Sequence, residues 1–398
     1  MDHSLESTEE MSVLLRRLKN QTKWSFLFLF PYFASLLVIF GVINNQVWAF
    51  KGVFWLGLAV AALDILVGID ASFPLNIQDT EPSQSRAWQF TLWLWVPAQA
   101  VIVLCGLLTV TQEALTVRNL YLVTASIGVT NGIFCVPVAH ELMHRKNRFE
   151  QALAEFLMTM VSYPHFCIEH VHGHHRNVGT DRDPATARFG ESFYSFYQRS
   201  VFGGVISAWK LETNRLRQHR GAILSYHNRM LRYLTSLVLL YATIHYTCGW
   251  VGIIFFASQG IIAFSTLEMI NYIQHYGLTR YEITPGHYER VMPWHSWNSN
   301  HRISNWLLVN LPRHADHHFQ TARNYYLLRH AGDAPQLPNG YFGIFLLPLF
   351  PPLWRYIMDP RVEVWRRTHG FYTDLIDERR SCDRTTGSSE PQSRSNLS

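Results

Sequence analysis

Nine histidines in four short clusters are the residues in this sequence whose types and spacing point to chemistry. The first cluster is HELMH, with His140, Glu141 and His144. On a helix, positions i and i+4 share a face about 6 Å apart, so two imidazoles there can aim at one metal. The second is EHVHGHH, with Glu169, His170, His172, His174 and His175. The third is His275 in NYIQHYGL, and the fourth is RHADHH, with His314, His317 and His318. HELMH alone matches the HExxH zinc-protease signature. A single zinc takes three or four protein ligands, however, and would leave most of these rings unused. With His172 set aside as ambiguous, nine neutral imidazoles suit two metals of higher coordination. Among metals that accept imidazole, iron is the one that activates O2 at a partly open site. A ligating His usually donates its other N–H to a carboxylate or carbonyl. Glu141, Glu169, Asp316 and Glu268 are the candidates for that role. For Asp316, capping a helix or pairing with Arg313 is an equal alternative.

The elements that must carry these clusters are apolar. Hydrophobic residues make up 48% of 398, and charged residues only 16%, against about 25% in an ordinary soluble domain. Six stretches are long enough to cross about 30 Å of hydrocarbon: 24–42, 48–68, 90–110, 120–139, 231–247 and 250–273. The expected fold is therefore an all-α integral membrane protein of six transmembrane helices. Its catalytic domain spans 24–365, after an N-terminal segment 1–23 and before a disordered tail 379–398 that is poor in apolar residues. Arg16, Arg17, Lys19 and Lys23 precede the first span, and twelve Lys or Arg fall between 141 and 230. That bias puts the N-terminus and all four His clusters on the cytoplasmic side, at the inner membrane in a bacterium. Two broken apolar stretches, 152–168 and 341–354, read as interfacial pieces.

Composition also excludes functions. Lys and Arg form no clustered runs, so no nucleic-acid partner is expected despite the net charge of +5. Polar residues are too rare in the first three spans for an ion-transport path. The five Cys form no CxxC pair, which excludes a fused rubredoxin or zinc ribbon. With no flavin or GxGxxG fingerprint either, electrons must come from a separate redox protein. Arg145, Lys146, Arg148 and Arg176 lie where an acidic partner would meet the clusters.

The chain resembles the membrane alkane 1-monooxygenases and the related xylene monooxygenase hydroxylase subunits, within the membrane fatty acid desaturase and hydroxylase superfamily. The resemblance runs from about 20 to 365. It rests on HELMHRKN at 140–147, EHVHGHH at 169–175, NYIQHYGL at 271–278, WHSWNSN at 294–300 and RHADHH at 313–318. DPATARFGES at 183–192 and the closing segment 337–362 also match the family. It implies two irons held by His140, His144, His170, His174, His175, His275, His314, His317 and His318. It also implies electrons from rubredoxin or a ferredoxin-type donor with its reductase. The implied reaction is hydroxylation of a terminal or methyl C–H of an alkane or alkyl-aromatic, with lipid desaturation or hydroxylation as the nearer alternative and a zinc protease as a remote one. Gln274 stands where many members have Glu, and His172 where they usually lack His. For Gln274 the reading is a supporting role, bonding a ligating His or lining the substrate channel.

Overall fold

The computed structural model describes residues 28–70, 86–112 and 115–386. The segment 1–23 with its basic residues, the start of the first span, and 387–398 lie outside them. Among the described residues, four helices are long and apolar enough to cross a membrane. They are α2 (Gln46–Val67), α3 (Arg86–Val110), α4 (Val117–Met143) and α8 (Arg229–His275). A shorter apolar helix, α1 (Phe30–Asn44), precedes α2 across a single residue, Asn45, whose side chain accepts from Trp48 N. The sides these helices turn outward are apolar. Leu37 and Phe40 on α1, Trp55 and Leu66 on α2, and Leu108 on α3 are all exposed. Water would penalise such a band, while lipid accepts it.

The 47-residue α8 is not one straight rod. Gly249 adopts φ 62° and ψ −161°, a conformation that a side chain strongly disfavours. In a straight helix, residues 241 and 256 would lie about 22 Å apart. Instead the Tyr241 and Phe256 rings are 5.2 Å apart, so the chain reverses and the two halves form an antiparallel hairpin. This hairpin matches the two closely spaced apolar stretches at 231–247 and 250–273.

In lipid, helices associate through close packing and interhelical hydrogen bonds rather than through apolar burial. α4 and the second half of α8 use both. Gly128 and Gly132, four apart on α4, lie so close to Ile262 and Thr266 that a Cβ at either would meet them within 2.7 Å. Between these contacts Asn131 Nδ2 donates to Gln259 Oε1 at 2.7 Å, and Gln259 Nε2 donates to Met160 O at 2.9 Å.

The remaining elements form a cap over one end of this bundle. α5 (Arg148–Met160) follows the first cluster. α6 comprises Phe166–Glu169, His170–His174 and His175–Asn177 in succession. α7 (Phe193–Gln218) leads back to α8. A small hairpin of β1 (Glu282–Thr284) and β2 (His287–Tyr288) is an addition to the all-helical expectation, pairing Glu282 with Tyr288. Short helices α9 (Arg302–Leu307), α10 (His314–Phe319) and α11 (Tyr341–Ile344) follow. The stretch read as an interfacial piece at 152–168 thus divides between α5 and α6, and 341–354 holds α11 and the start of α12 (Pro351–Thr386). α12 runs past 379, into the stretch whose composition reads as disordered.

Two acidic residues clamp the cap to α2. Buried Asp64 accepts from the backbone N–H of Ser304 at 2.9 Å and from its hydroxyl. Asp70 accepts from Arg313 at 2.9 Å. Both links hold the segment that leads into α10.

Candidate metal centre

Four segments deliver histidines to one buried place. The C-terminal turns of α4 supply His140 and His144 after a π-helical turn at Asn131–Cys135. α6 supplies His170, His174 and His175, the end of α8 supplies His275, and α10 supplies His314, His317 and His318. The rings sort into two groups, each with its candidate ligand atoms within 4.8 Å of one another. His140, His144, His170, His175 and His317 form the first, and His174, His275, His314 and His318 the second. The groups adjoin, since the His175 and His318 rings stack at 4.3 Å. His172 is exposed and belongs to neither.

Local backbone geometry explains the sorting. In an α-helix, His170 and His174 would share a face and His175 would turn away. Residues 170–174 are instead π-helical, with His175 N–H donating to His170 O. An i→i+5 repeat brings residues five apart close to register. His170 and His175 thus meet, Nε2 to Nε2 at 3.0 Å, and His174 is released to the second group. On α10 the ordinary i,i+4 relation joins His314 and His318 at 2.9 Å. His317 points the other way, to His175 at 3.2 Å. His275 closes the second group on His314 at 3.1 Å.

These distances test whether the rings suit metal ions. Two imidazole nitrogens bound at right angles to one metal, each at about 2.1 Å, are separated by about 3 Å. The four contacts fall between 2.9 and 3.2 Å. The Nε2 atoms of His140, His144 and His174 are buried with no hydrogen-bond partner among the described residues. Native proteins rarely leave such atoms unpaired unless something else binds them. The donor set fits two imidazole-ligated metals.

Six of the rings outside the helical spans are held neutral, the form that ligates. Burial first, then the neighbouring rings, pushes His144, His170, His175, His314 and His318 well below the ordinary 6.5. Burial, then His174, brings His317 to about 3. Unfolded, that ring would titrate near 6.5, so between the two values the unfolded chain binds more protons and stability falls as pH falls. Metal-free protein in detergent should lose thermal stability progressively below pH 6.5. A Tm unchanged down to about pH 4 would contradict the buried neutral rings.

Supporting contacts differ from the sequence reading. Glu141 accepts from Arg145 at 2.7 Å and from Tyr325 N at 3.0 Å, not from a ligand ring. Glu268 accepts from Tyr163, Ser200 and Asn271. Asp316 is tied to Arg323 and Arg329, while its expected alternative partner Arg313 goes to Asp70. Glu169 is buried, with Oε1 unpartnered and facing Gly173. The common reason is competition. Nearby Arg, Tyr, Ser, Asn and backbone donors reach Glu141, Glu268 and Asp316, and the rings do not. Gln274 donates to the Tyr341 hydroxyl at 2.8 Å rather than to a His.

Among the described residues, the carboxylate that does meet a ring of the centre is Asp183, whose Oδ2 lies 2.8 Å from His174 Nδ1. Thr186 Oγ1 and Ala185 N also donate to Asp183, at 2.6 and 2.9 Å. Burial would raise this carboxyl, but His174 and those two donors outweigh it and hold it below the usual range. Asp183 opens the DPATARFGES motif noted above, which was the available signal.

About one helical turn from the rings, between α4, α8, the segment after α9, and α11, lies a partly open cavity with apolar walls. Val136 and Pro137 line it one turn below His140, and Ile270 about one turn below His275.

Residues 117–348, which carry every one of these rings, match the fatty acid desaturase family model. The chain is 35% identical to alkane 1-monooxygenase 2 of Pseudomonas aeruginosa, over 84% of this chain and 92% of the relative. It is 38% identical to alkane 1-monooxygenase 1 of Alcanivorax borkumensis, over 80% and 78%. The chain belongs to the alkane 1-monooxygenase family. The xylene/toluene monooxygenase hydroxylase component of Pseudomonas putida is 31% identical over 79% of this chain and 85% of its own length. As an alkane 1-monooxygenase family member, the protein is an oxidoreductase, a metal-dependent membrane monooxygenase that hydroxylates hydrophobic substrates.

Proposed function

We propose that the nine rings hold two iron ions and that the enzyme hydroxylates a terminal or methyl C–H of an alkane or alkyl-aromatic. The observation that carries this reading is the meeting of the two His groups about one helical turn from the residues that line an apolar cavity. Bound iron would supply O2 activation and the oxidising power for the C–H bond. The chain does the rest. His174, its Nδ1 proton held by Asp183, keeps one tautomer and ring plane. The cavity binds an alkyl chain through apolar contact worth about 0.8 kcal/mol per CH2 and excludes water from the reacting end. Incubating membranes containing the protein with a hydrocarbon panel, 18O2 and a redox partner should yield alcohols carrying one 18O. A double bond in an acyl chain instead would replace hydroxylation with desaturation.

The same reading sets the chain in the membrane with six crossings. Segments 30–44, 46–67, 89–110, 117–143 and the two halves of 229–275 make three antiparallel hairpins. The Lys and Arg of 141–230 favour the cytoplasmic side for the metal centre, and 24–365 forms the catalytic unit.

Electrons enter from a separate rubredoxin or ferredoxin-type protein served by its own reductase. His144 and His175, both in the first group, are only partly buried, and exposed Lys146, Arg148 and Arg176 lie close to them along the chain. An acidic carrier suits that rim. Turnover should require the added carrier and slow as salt approaches about 1 M, where the Debye length is about 3 Å. Turnover with NADH alone would remove the carrier from the scheme.

A further inference from the structure

The cavity presents carbon on every side, so no hydrogen bond fixes how far an alkyl chain enters. Depth must then be set by shape, and the side chain that stops the chain end matters most. Tyr341 on α11 is the wall residue best placed to do this. Its hydroxyl bonds Gln274, one residue before His275, so its tethered end lies level with the end of α8 that carries a metal-binding ring. Thr266, at the far end, is about two helical turns away along α8.

α11 is one turn long, and Phe342 on it and Phe345 just after it line the same wall. A helix that short is held by its contacts rather than by its own hydrogen bonds. The Gln274–Tyr341 bond joins it to the helix that carries a metal-binding ring. Both residues are buried, at 1% exposure each, so a broken bond would leave two polar groups without water. The backbone at Gln274 is itself anchored, its main-chain carbonyl accepting from Trp297 N at 2.8 Å.

We propose that the Gln274–Tyr341 pair is a positioning device that sets which carbon of a hydrocarbon chain is oxidised. The tether holds the Tyr341 ring as a stop, so that the chain end halts beside the metal centre. Gln274 performs this without charge. A Glu there could accept from the same hydroxyl, keeping the tether while adding a negative charge next to His275.

The inference rests on the hydroxylase reading, and its test separates the two. Tyr341→Phe keeps the ring and removes the tether. Gln274→Leu removes it from the other side, and Gln274→Glu retains it. With a medium-chain n-alkane, the first two variants should raise the fraction of subterminal alcohol at least several-fold over wild type. Their iron content should be unchanged, and Gln274→Glu should keep the wild-type ratio. Because one bond is lost in either case, the double variant Gln274→Leu/Tyr341→Phe should shift no further than a single one. A wild-type ratio in Tyr341→Phe with iron retained overturns the proposal, as do two shifts that simply add.

A second measurement needs no turnover. Metal-free protein should be stabilised against heat by n-alcohols with a sharp optimum in chain length, broadened in Tyr341→Phe and kept in Gln274→Glu. If wild type yields no alcohol from any hydrocarbon, the hydroxylase reading fails, and this optimum still decides whether the pair sets depth. An optimum unchanged in Tyr341→Phe overturns the pair's role whatever the reaction. If Gln274→Leu fails to fold, Tyr341→Phe and Gln274→Glu carry both measurements.

Discussion

His317→Ala and His318→Ala are each expected to abolish hydroxylation and to lower bound iron from two ions per chain toward one. The two positions are adjacent on α10, yet they serve different groups. His317 Nε2 lies 3.2 Å from His175, and His318 Nε2 lies 2.9 Å from His314. Each substitution should therefore empty a different site, which Mössbauer spectra of 57Fe-loaded protein can distinguish. Loss of one buried ring leaves a small void, and α10 keeps its anchors through Asp316 to Arg323 and Arg329. The fold should survive, as elution of the variant at the wild-type position in detergent would verify. His172→Ala serves as the contrast, since that ring is exposed and outside both groups, and should keep both irons. Full turnover in either His317→Ala or His318→Ala would demote that ring to a structural part.

Asp183→Ala is expected to reduce activity and metal affinity by about 10- to 100-fold, the usual effect of removing the partner of a ligating His. It is the one carboxylate seen to meet a ring of the centre among the described residues, and it is fully enclosed. Without it, His174 Nδ1 loses its acceptor, and the ring can turn or take the other tautomer. Thr186 and Ala185 N–H lose an acceptor at the same time, which loosens the 179–187 loop. Asp183→Asn should be milder, because its amide oxygen can still accept from His174 while its NH2 faces one of the other two donors. The effect should fall on the four-ring site. In chelator titrations, one of the two irons should therefore leave earlier than in wild type, with the other unchanged. Equal release of both irons would show that Asp183 supports the cap as a whole rather than one site.

Much of the centre was legible because it depends on local features. HELMH and RHADHH place rings on one helix face through the i,i+4 relation, which needs only the residue letters and a helical period. The apolar runs were equally plain, and the stretches at 231–247 and 250–273 anticipated the reversal at Gly249. The supporting carboxylates were not legible. Glu141, Glu268 and Asp316 sit near rings in sequence, but in the fold other donors claim them. Asp183 reaches His174 through a loop, with no periodic relation between them to mark the pair in the sequence.

The sequence by itself singled out which residues could bind metal, led to the expectation of two ions for so many rings, and indicated that apolar helices present them together. These follow from residue type, number and hydropathy along the chain. Only the tertiary structure decided which ring joins which group. That sorting depends on a π-helical turn at His170–His174, whose i→i+5 repeat leaves no mark in hydrophobic periodicity. It depends also on how α4, α6, α8 and α10 meet. The Gln274–Tyr341 bond spans 67 residues for the same reason. Contacts between distant segments are set by packing and by competition among all nearby donors and acceptors, and neither can be read from the spacing of residues along one strand of text.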